Sequence, residues 1–448
     1  MRSTLSWSDL GRTRPRVGIF GLGREGAANL RRCLDLGLDP VLVDEGAAAV
    51  EGREVLTGPA GAEALLGCDV VIKTPGISRR TSPTVLRLVD AGVPVVGGLG
   101  LWMQDADRSR VLCVTGTKGK STTAAITGHL LRGLGSRCLV GGNIGVPPWD
   151  PAEEVGPVDH WVIEVSSYQA TDLASSPPVV AVTSLHADHL PWHGGAEESY
   201  YRDKLSLCTL PGADLTIANG DSDLLRERRG LLGPRVEWVC ADDDPAADWM
   251  APLGLLGAHN RRNALIAAAA VRALGVEASD AALAAAAGGF KHLESRLRPV
   301  GDVDGVTFVD DSLSTNVLPT LAAVDAFGDR PVALIVGGFS RGIDYAPLAV
   351  GLRTRTAPTL LLTVPGNGRH IGEVVRATGA GPSVDIADCD DLDAAVAAGF
   401  AWARPGGVVL LSPAAASFDR YADYRDRAAA FRRAVDAVTP DGSDLTRR

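Results

Sequence analysis

Short apolar runs alternate with longer segments of helical character along nearly the whole sequence, and this alternation constrains the fold more than any other feature. The runs are rich in valine, isoleucine and leucine, whereas the segments between them are rich in alanine, leucine and arginine. The predicted strands are 17–20, 41–44, 70–73, 111–115, 161–165, 179–185, 332–337, 360–364 and 408–411. Because strand–helix–strand units build parallel sheets, the sequence predicts an α/β fold.

The length of the chain, 448 residues, exceeds what one hydrophobic core normally organises and predicts about three domains. A charged stretch at 104–110 precedes a predicted strand, and an alanine-rich helical region ends near residues 295–300. We therefore expect an N-terminal domain over 1–107, a central domain over 108–297 and a C-terminal domain over 298–448.

The charge and cysteine patterns exclude several classes of protein. The formal net charge is −10 and no basic stripe is present, which argues against a nucleic-acid partner. The seven cysteines are dispersed without a Cys-x-x-Cys pair, as is typical of reduced cytosolic proteins. The first residues hold no apolar signal region, and no uncharged run approaches the roughly 18 residues that span a bilayer. We expect a cytoplasmic protein without membrane insertion.

A glycine fingerprint follows the first predicted strand. Residues 21–26 read GLGREG, which places Gly21, Gly23 and Gly26 in a G-x-G-x-x-G pattern, and Asp44 ends the next strand. Glycines let backbone N–H groups approach a diphosphate at a helix N-terminus, and the acidic residue suits a ribose. The pattern predicts a Rossmann-like domain that binds either a dinucleotide or a UDP-sugar. The alternative is a tight turn without a ligand.

A second glycine-rich turn follows the strand at 111–115. Residues 115–123 read TGTKGKSTT and lead into a helical segment. Such a turn cradles phosphates with its backbone, while Lys120 offsets their charge and Ser121 or Thr122 reaches Mg²⁺. The predicted ATP contacts in this turn are Gly116, Thr117, Lys118, Gly119, Lys120, Ser121 and Thr122. The alternative is a surface turn, because the spacing is shorter than that of a full Walker A motif.

The turn resembles the TGTNGKST phosphate loop of the Mur ligases and the folylpolyglutamate synthases, with Lys118 in place of the usual asparagine. Further segments match that superfamily in order: GGNIG at 141–145, WVIEVSSYQ at 161–169 and HADH at 186–189. The resemblance implies that Glu164, His189 and a carbamylated Lys204 hold Mg²⁺, and that Asn143 contacts the UDP substrate. Carbamylation needs an amine, and lysine is rare in this arginine-rich chain.

The histidines allow two other interpretations. His186, His189 and His193 lie close to Asp188 in the sequence and could form a zinc site, although their spacing matches no common zinc motif. The histidines could also be purely structural.

Motifs towards the end of the chain resemble those of the glutamate-adding, MurD-type branch. GAHNRRNA at 257–264 implies an ATP contact for Asn263, and Arg296 takes the arginine position of an HR-type motif in which Ser295 replaces histidine. DDSLSTN at 310–316, GGFSRGIDY at 337–345 and LSPAAASFD at 411–419 resemble further motifs of that branch. These motifs imply a nucleotide contact for Asp311 and glutamate contacts for Thr315, Arg341 and Ser417.

Two departures from the branch concern the amino acid. Leu313 and Arg341 stand where the D-glutamate enzymes have lysines, and the pattern is closest to the less common branch that adds L-glutamate. A flexible ammonium and a planar guanidinium place a carboxylate differently. We therefore favour L-glutamate and keep D-glutamate as the alternative.

The family resemblance implies a three-domain enzyme: a Rossmann-like N-terminal domain, a central P-loop ATPase domain and a Rossmann-like C-terminal domain. Its predicted reaction is the ATP-dependent, ADP-forming ligation of glutamate to UDP-N-acetylmuramoyl-L-alanine through an acyl phosphate, a step of peptidoglycan precursor synthesis. We expect a monomer that uses these small-molecule substrates. The alternatives are a folylpolyglutamate synthase-like or cyanophycin-type ligase, a nicotinamide oxidoreductase, and a non-catalytic nucleotide-binding protein.

Overall fold

The computed structural model of the protein describes residues 3–46, 49–50, 52–153, 156–243, 248–418 and 420–438. The chain forms two compact units: the first comprises residues 1–254 and 260–290, and the second comprises residues 255–259 and 291–448. The predicted domain boundaries after residues 107 and 297 stay predictions.

The strands of the described residues are listed here in chain order: β1 Val17–Phe20, β2 Val41–Val43, β3 Ala49–Val50, β4 Arg53–Glu54, β5 Val70–Lys73, β6 Val95–Gly97, β7 Val111–Thr115, β8 Cys138–Gly142, β9 His160–Glu164, β10 Val179–Val182, β11 Leu215–Asn219, β12 Arg235–Val239, β13 Arg298–Val303, β14 Val306–Asp310, β15 Val332–Val336, β16 Thr359–Thr363, β17 Val384–Asp388 and β18 Val408–Leu411.

The α-helices of the described residues are α1 Trp7–Thr13, α2 Arg24–Asp35, α3 Gly58–Leu66, α4 Pro83–Asp90, α5 Gly98–Asp105, α6 Lys120–Gly133, α7 Ser167–Ala170, α8 Glu197–Leu205, α9 Asp223–Glu227, α10 Ala258–Ala273, α11 Asp280–Ala287, α12 Val317–Asp325, α13 Ala346–Leu352, α14 Gly368–Thr378, α15 Leu392–Ala403 and α16 Tyr424–Val438. Short 3₁₀ helices span Arg108–Arg110, Leu190–His193, Ser206–Cys208, Arg229–Leu231 and Asp248–Leu253. None of these described helices combines the length and hydropathy that a bilayer-spanning helix needs.

The first sheet has the strand order β2–β1–β5–β6, and all of its neighbouring strands are parallel. Every residue of β1 and β5 is buried, which is typical of a parallel sheet that helices cover on both faces. Strands β3 and β4 form a separate antiparallel pair. The glycine fingerprint follows β1 and therefore lies at the carboxyl edge of this sheet.

The second sheet has the order β12–β11–β10–β7–β9–β8 and is parallel throughout. Strand β7 lies between β9 and β10, with Val114 opposite Glu164 and Thr115 opposite Val182. Strands β8 and β9 lie on one side of β7, and β10 lies on the other side, so the strand order reverses at β7. Open α/β sheets bind ligands in the crevice at such a reversal of strand order.

The third sheet belongs to the second unit and has the order β13–β14–β18–β15–β16–β17. Its edge pair β13–β14 is antiparallel, and the other strands are parallel. Strands β14, β18 and β15 are therefore direct neighbours, and their carboxyl ends meet at one edge.

The predicted α/β class with parallel sheets is confirmed. The predicted strand 179–185 is too long, because β10 ends at Val182 and the hydroxyl of Thr183 then bonds to the carbonyls of Thr115 and Lys118. The sequence did not predict β3, β4, β6, β8, β11, β12, β13, β14 and β17. Strand β8 ends in two glycines and β12 alternates apolar with polar residues, so neither has an uninterrupted apolar run.

Candidate active site

At two positions, the loop between β7 and α6 has a backbone conformation that only glycine adopts readily. Gly116 and Gly119 have φ angles of +134° and +87°. A Cβ atom on Gly116 would overlap the hydroxyl of Thr183, and one on Gly119 would lie 2.9 Å from Oδ1 of Asn263. Gly119 is also the N-cap of α6 and supplies no side-chain hydrogen bond to the first turn. The backbone is therefore shaped to receive an anion at the start of α6.

Two hydroxyl residues after β10 fix this loop. The Lys118 N–H donates to Oγ of Ser184 at 2.8 Å, and Oγ1 of Thr183 donates to the Lys118 carbonyl at 2.6 Å. The Thr117 N–H donates to the Ser184 carbonyl at 2.9 Å. All the predicted ATP contacts from Gly116 to Thr122 thus lie in one braced loop and the first turn of α6, and Asn263 lies against it.

Lys204 lies on α8, far from the loop in sequence, yet its Nζ donates to the Gly116 carbonyl at 2.9 Å. Its side chain is 2% exposed. Burial lowers the pKa of Lys204 well below its ordinary value, and the nearby ammonium groups of Lys120 and Lys118 lower it further. A neutral amine is the form of lysine that reacts with an electrophile, so this environment suits covalent modification.

Glu164 ends β9, next to the carboxyl end of β7, and is 1% exposed. Its Oε1 accepts a hydrogen bond from Nδ2 of Asn143 at 2.7 Å. Its Oε2 is buried and has no hydrogen-bond partner among the described residues. A buried carboxylate oxygen without a donor is costly, and such an oxygen is suited to binding a cation.

His189 adopts a left-handed backbone with φ of +51° and packs its ring edge-on to Tyr168. Burial lowers its pKa, and the ammonium groups of Lys118 and Lys120 act in the same direction. The neutral imidazole that results is the form that binds metals. Asp188, which the sequence associated only with the alternative zinc site, accepts from Nζ of Lys118 at 3.4 Å.

His193 is engaged elsewhere, which weakens the zinc interpretation. It is fully buried, with Nδ1 bonded to Asp203 at 2.8 Å and Nε2 bonded to Ser167 at 3.0 Å. Arg80 also donates two hydrogen bonds to Asp203, the residue before Lys204. This network positions α8 and its lysine. Within the described part of the chain, no three His, Cys, Asp or Glu side chains form a group that could hold a metal ion.

The glycine fingerprint has the geometry that its pattern predicts. Gly21 has a φ of +92°, and a Cβ atom on Gly26 would overlap the Gly21 carbonyl. Gly23 is the N-cap of α2, with open space beside its Cα. Oδ2 of Asp44 accepts from the Leu22 N–H at 2.7 Å, so this carboxylate holds the turn; its predicted ribose contact stays a prediction.

The same turn contacts the residues around Glu164. Arg24 donates to the carbonyls of Gly142 and Asn143 at 3.0 and 3.4 Å. Oε1 of Glu25 accepts from the amide of Gln169 at 2.6 Å. The fingerprint, the turn that carries Asn143 and the strand end that carries Glu164 therefore form one continuous region of the first unit.

The second unit holds the remaining predicted residues. Asp311 is buried, with Oδ1 accepting from the Leu297 N–H at 3.0 Å and Oδ2 accepting from the Ser412 hydroxyl at 2.8 Å. Burial raises the pKa of Asp311 to about 7. Arg296 stands between two residues of left-handed backbone, Ser295 and Leu297. The nucleotide contacts predicted for Arg296 and Asp311 stay predictions.

The predicted glutamate contacts lie on loops at the carboxyl edge of the third sheet. Thr315 follows β14, Arg341 follows β15 and Ser417 follows β18. The guanidinium of Arg341 stacks over the ring of Phe418 at 5.4 Å. Asp419, which completes the third motif, lies outside the described residues.

Relatives of known name match nearly the whole chain. A "UDP-N-acetylmuramoyl-L-alanine--L-glutamate ligase" of Micromonospora sp. is 40% identical over 96% of this chain and 97% of its own length. Proteins of the same name from Salinispora tropica and Xanthomonas euvesicatoria are each 38% identical, over 94% and 91% of the chain and 97% and 92% of their own lengths. Residues 114–251 match the Mur ligase middle domain.

The chain belongs to the Mur ligase family. Solved structures share its fold. UDP-N-acetylmuramate-alanine ligase MurC from Thermotoga maritima has a TM-score of 0.55 at 18% identity and covers 94% of this chain and 99% of its own. MurF ligase from the same organism, in complex with ADP, has a TM-score of 0.55 at 15% identity and covers 94% and 95%.

The residues of this Mur ligase fit a magnesium ion beside a phosphate chain. Mg²⁺ prefers oxygen ligands and is usually held by one or two carboxylates together with substrate phosphates. Glu164 offers a buried oxygen without a donor, and Ser121 lies in the first turn of α6. Lys204 can add oxygens to such a set only as a carbamate.

Glu25 lies within the glycine fingerprint, and its raised pKa makes the stability of this Mur ligase depend on pH. Burial raises the pKa of Glu25 from 4.5 to about 7, and the nearby carboxylate of Asp172 also raises it, whereas Gln169, Arg24 and Lys73 lower it. The folded protein therefore binds this proton more tightly than the unfolded chain, so its stability falls as pH rises from about 4.5 to 7.

Glu25→Gln should remove this penalty. We expect the variant to match the wild type below pH 4.5 and to gain up to about 3 kcal/mol in free energy of unfolding by pH 8. Urea unfolding at several pH values measures the difference, with the exposed Glu63→Gln as the charge control. A difference in free energy of unfolding that does not change with pH would contradict the raised pKa of Glu25.

Proposed function

We propose that this Mur ligase joins glutamate to UDP-N-acetylmuramoyl-L-alanine in an ATP-dependent, ADP-forming reaction, and that the glutamate is the L isomer. The observation that carries the proposal is the hydrogen bond from the buried Lys204 to the phosphate loop at Gly116. It brings a distant lysine and a glycine–lysine turn to one place, beside Glu164. The names of the relatives, each of which specifies L-glutamate, support the choice of amino acid.

In this proposal the triphosphate of ATP lies on residues 116–122, where backbone N–H groups and the start of α6 receive it. Lys120, whose Nζ now donates to the Thr117 carbonyl at 3.2 Å, turns to the phosphates and offsets their charge. Glu164, His189, Ser121 and a carbamylated Lys204 would hold Mg²⁺, which would supply further positive charge between ATP and the substrate carboxylate.

The UDP diphosphate lies at the fingerprint of Gly21, Gly23 and Gly26, where the N-terminus of α2 faces it. Asn143 adds a contact to the same substrate, and its hydrogen bond to Glu164 links the two sites. The alanyl carboxylate attacks the γ-phosphate, and ADP leaves. The glutamate amine then attacks the acyl phosphate, and inorganic phosphate leaves as the amide forms.

A product assay tests the proposal. We expect ADP release that requires UDP-N-acetylmuramoyl-L-alanine together with glutamate, and kcat/KM at least about tenfold higher for L-glutamate than for D-glutamate, as one charge-assisted contact would give. A faster reaction with the D isomer would assign the chain to the D-glutamate reaction instead. Absence of ADP release with either isomer would overturn the ligase assignment. Product formation with a folate substrate or a nicotinamide cofactor would then support the corresponding alternative, a folylpolyglutamate synthase-like ligase or an oxidoreductase.

A further inference from the structure

Three neighbouring strands of the third sheet end beside one buried arginine. Arg427 lies on α16 and is 3% exposed. Its Nε donates to Oγ of Ser312 at 2.9 Å, and its Nη2 donates to the Ser312 carbonyl at 2.7 Å. The guanidinium therefore holds the loop that follows β14 through two atoms of one residue.

The same guanidinium reaches the loops after the other two strands. Nη2 donates to the Ala415 carbonyl at 3.1 Å, and Nη1 donates to the Ala416 carbonyl at 3.3 Å and to the Gly337 carbonyl at 3.5 Å. Ala415 and Ala416 follow β18, and Gly337 follows β15. One side chain thus joins the ends of β14, β18 and β15.

These loops have shapes that need such support. Ala414 is buried in a left-handed backbone with φ of +54°, which is unfavourable for alanine. The Phe339 N–H donates to the Ala416 carbonyl at 2.8 Å, and a Cβ atom on Gly338 would overlap that carbonyl. The loops after β15 and β18 are therefore locked against each other, and Arg427 touches both.

The three residues predicted to contact glutamate lie close in sequence to the residues that Arg427 joins. Ser417 directly follows Ala416, Thr315 lies shortly after Ser312, and Arg341 lies shortly after Gly337. We infer that Arg427 is the positioning residue of the amino-acid site, holding the three loops in the one arrangement that recognises the incoming amino acid. The inference rests on the proposed function, because the site that Arg427 positions is the glutamate site of that reaction.

Lysine cannot replace this arginine. A guanidinium is planar and directs five N–H groups along fixed lines, whereas an ammonium offers three donors around one point. Arg427 uses all three of its side-chain nitrogens. Nε and Nη2 donate to the loop after β14, Nη1 donates to the loop after β15, and both Nη1 and Nη2 donate to the loop after β18. An ammonium at this place would hold one loop and release the others.

A second buried arginine of the same unit serves as the matched control. Arg355 donates to Oγ1 of Thr359 at 3.1 Å and to the carbonyls of Val324 and Arg330. Thr359 begins β16, and Arg330 lies just before β15, so these contacts are at the amino edge of the sheet. Arg355 has the same chemistry at the opposite edge from the predicted glutamate contacts.

The test compares Arg427→Lys with Arg355→Lys in steady-state ligation assays. We expect Arg427→Lys to raise the KM for glutamate by about tenfold or more, since it loses charge-assisted hydrogen bonds that place the site. The KM for the UDP substrate, which binds to the first unit, should stay within about twofold in both variants, and Arg355→Lys should leave the glutamate KM within the same range. Equal changes in the two variants, or a fall in kcat alone, would overturn the inference.

A milder pair of variants covers the case in which Arg427→Lys does not fold. Ser312→Ala removes the hydroxyl that accepts from Arg427, and Thr359→Val removes the hydroxyl that accepts from Arg355. We expect the glutamate KM to rise about three- to tenfold in the first and to stay unchanged in the second. The same KM in both variants would overturn the inference.

Assays of the wild-type enzyme distinguish a failure of the proposed function from a failure of the role proposed for Arg427. A wild type that does not ligate glutamate contradicts the proposed function itself. A wild type that ligates glutamate, with Arg427→Lys at the wild-type KM, leaves the function in place and removes the role of Arg427.

Discussion

Lys204→Ala is expected to lower turnover by about a hundred- to a thousandfold, the usual effect of removing one preorganised charge partner from an active site. Lys204 is buried against the phosphate loop, and its environment disfavours the ammonium form. Our proposal gives the residue a role as a carbamate, which supplies oxygens where the amine has none. Lys204→Arg should be as inactive as Lys204→Ala, because a guanidinium keeps a donor for Gly116 but forms no carbamate.

The carbamate has a direct spectroscopic test. With ¹³C-labelled bicarbonate, the wild type should show a carbamate carbon signal that Lys204→Ala lacks. Lys73→Arg is the matched control, because Lys73 is also fully buried but is paired with Asp172 at 2.5 Å. Its spectrum should retain the signal. A Lys204→Ala variant that folds and turns over at the wild-type rate would disprove the role of the lysine.

Glu164→Gln is expected to change activity and stability in opposite directions. The glutamine keeps an oxygen that accepts from Asn143, but it removes the buried negative charge whose second oxygen has no donor. We expect the free energy of unfolding, measured without nucleotide or metal, to rise by about 1–3 kcal/mol. Turnover should fall at least about a hundredfold, because the variant weakens a cation site that stabilises the charged transition state by several kcal/mol.

The control for this variant is Glu237→Gln, which removes one negative charge from an exposed edge strand of the same sheet. It should leave both stability and turnover nearly unchanged. Urea unfolding and ADP release, measured in parallel at several Mg²⁺ concentrations, give both quantities. A destabilised but fully active Glu164→Gln would show that the carboxylate is structural and holds no cation.

The sequence predicted the parts of the candidate site that depend on local geometry. The phosphate loop and the fingerprint were recognisable because positive φ angles and close backbone approaches at Gly21, Gly116 and Gly119 require glycine, which leaves a short and regular pattern. The α/β class followed in the same way from local alternation of strands and helices. The family resemblance supplied Glu164, His189 and Lys204, which spacing alone does not connect.

The supporting contacts could not be predicted, because they join residues that are far apart in sequence. Thr183 and Ser184 brace the loop from the end of β10, and Arg427 reaches Ser312 across more than a hundred residues. A buried arginine in a helix rich in arginine and alanine has no local pattern of its own. His193 shows the reverse case, since its position in a histidine-rich segment suggested a ligand, whereas the fold uses it to hold Asp203.

The chain carries a formal charge of −10, yet two of its five lysines, Lys118 and Lys120, carry their ammonium groups at the phosphate loop. A small group of positive charges on an otherwise acidic protein raises the local concentration of anionic ligands. We therefore expect these charges to speed nucleotide association, and the association rate to fall as added salt shortens the screening length.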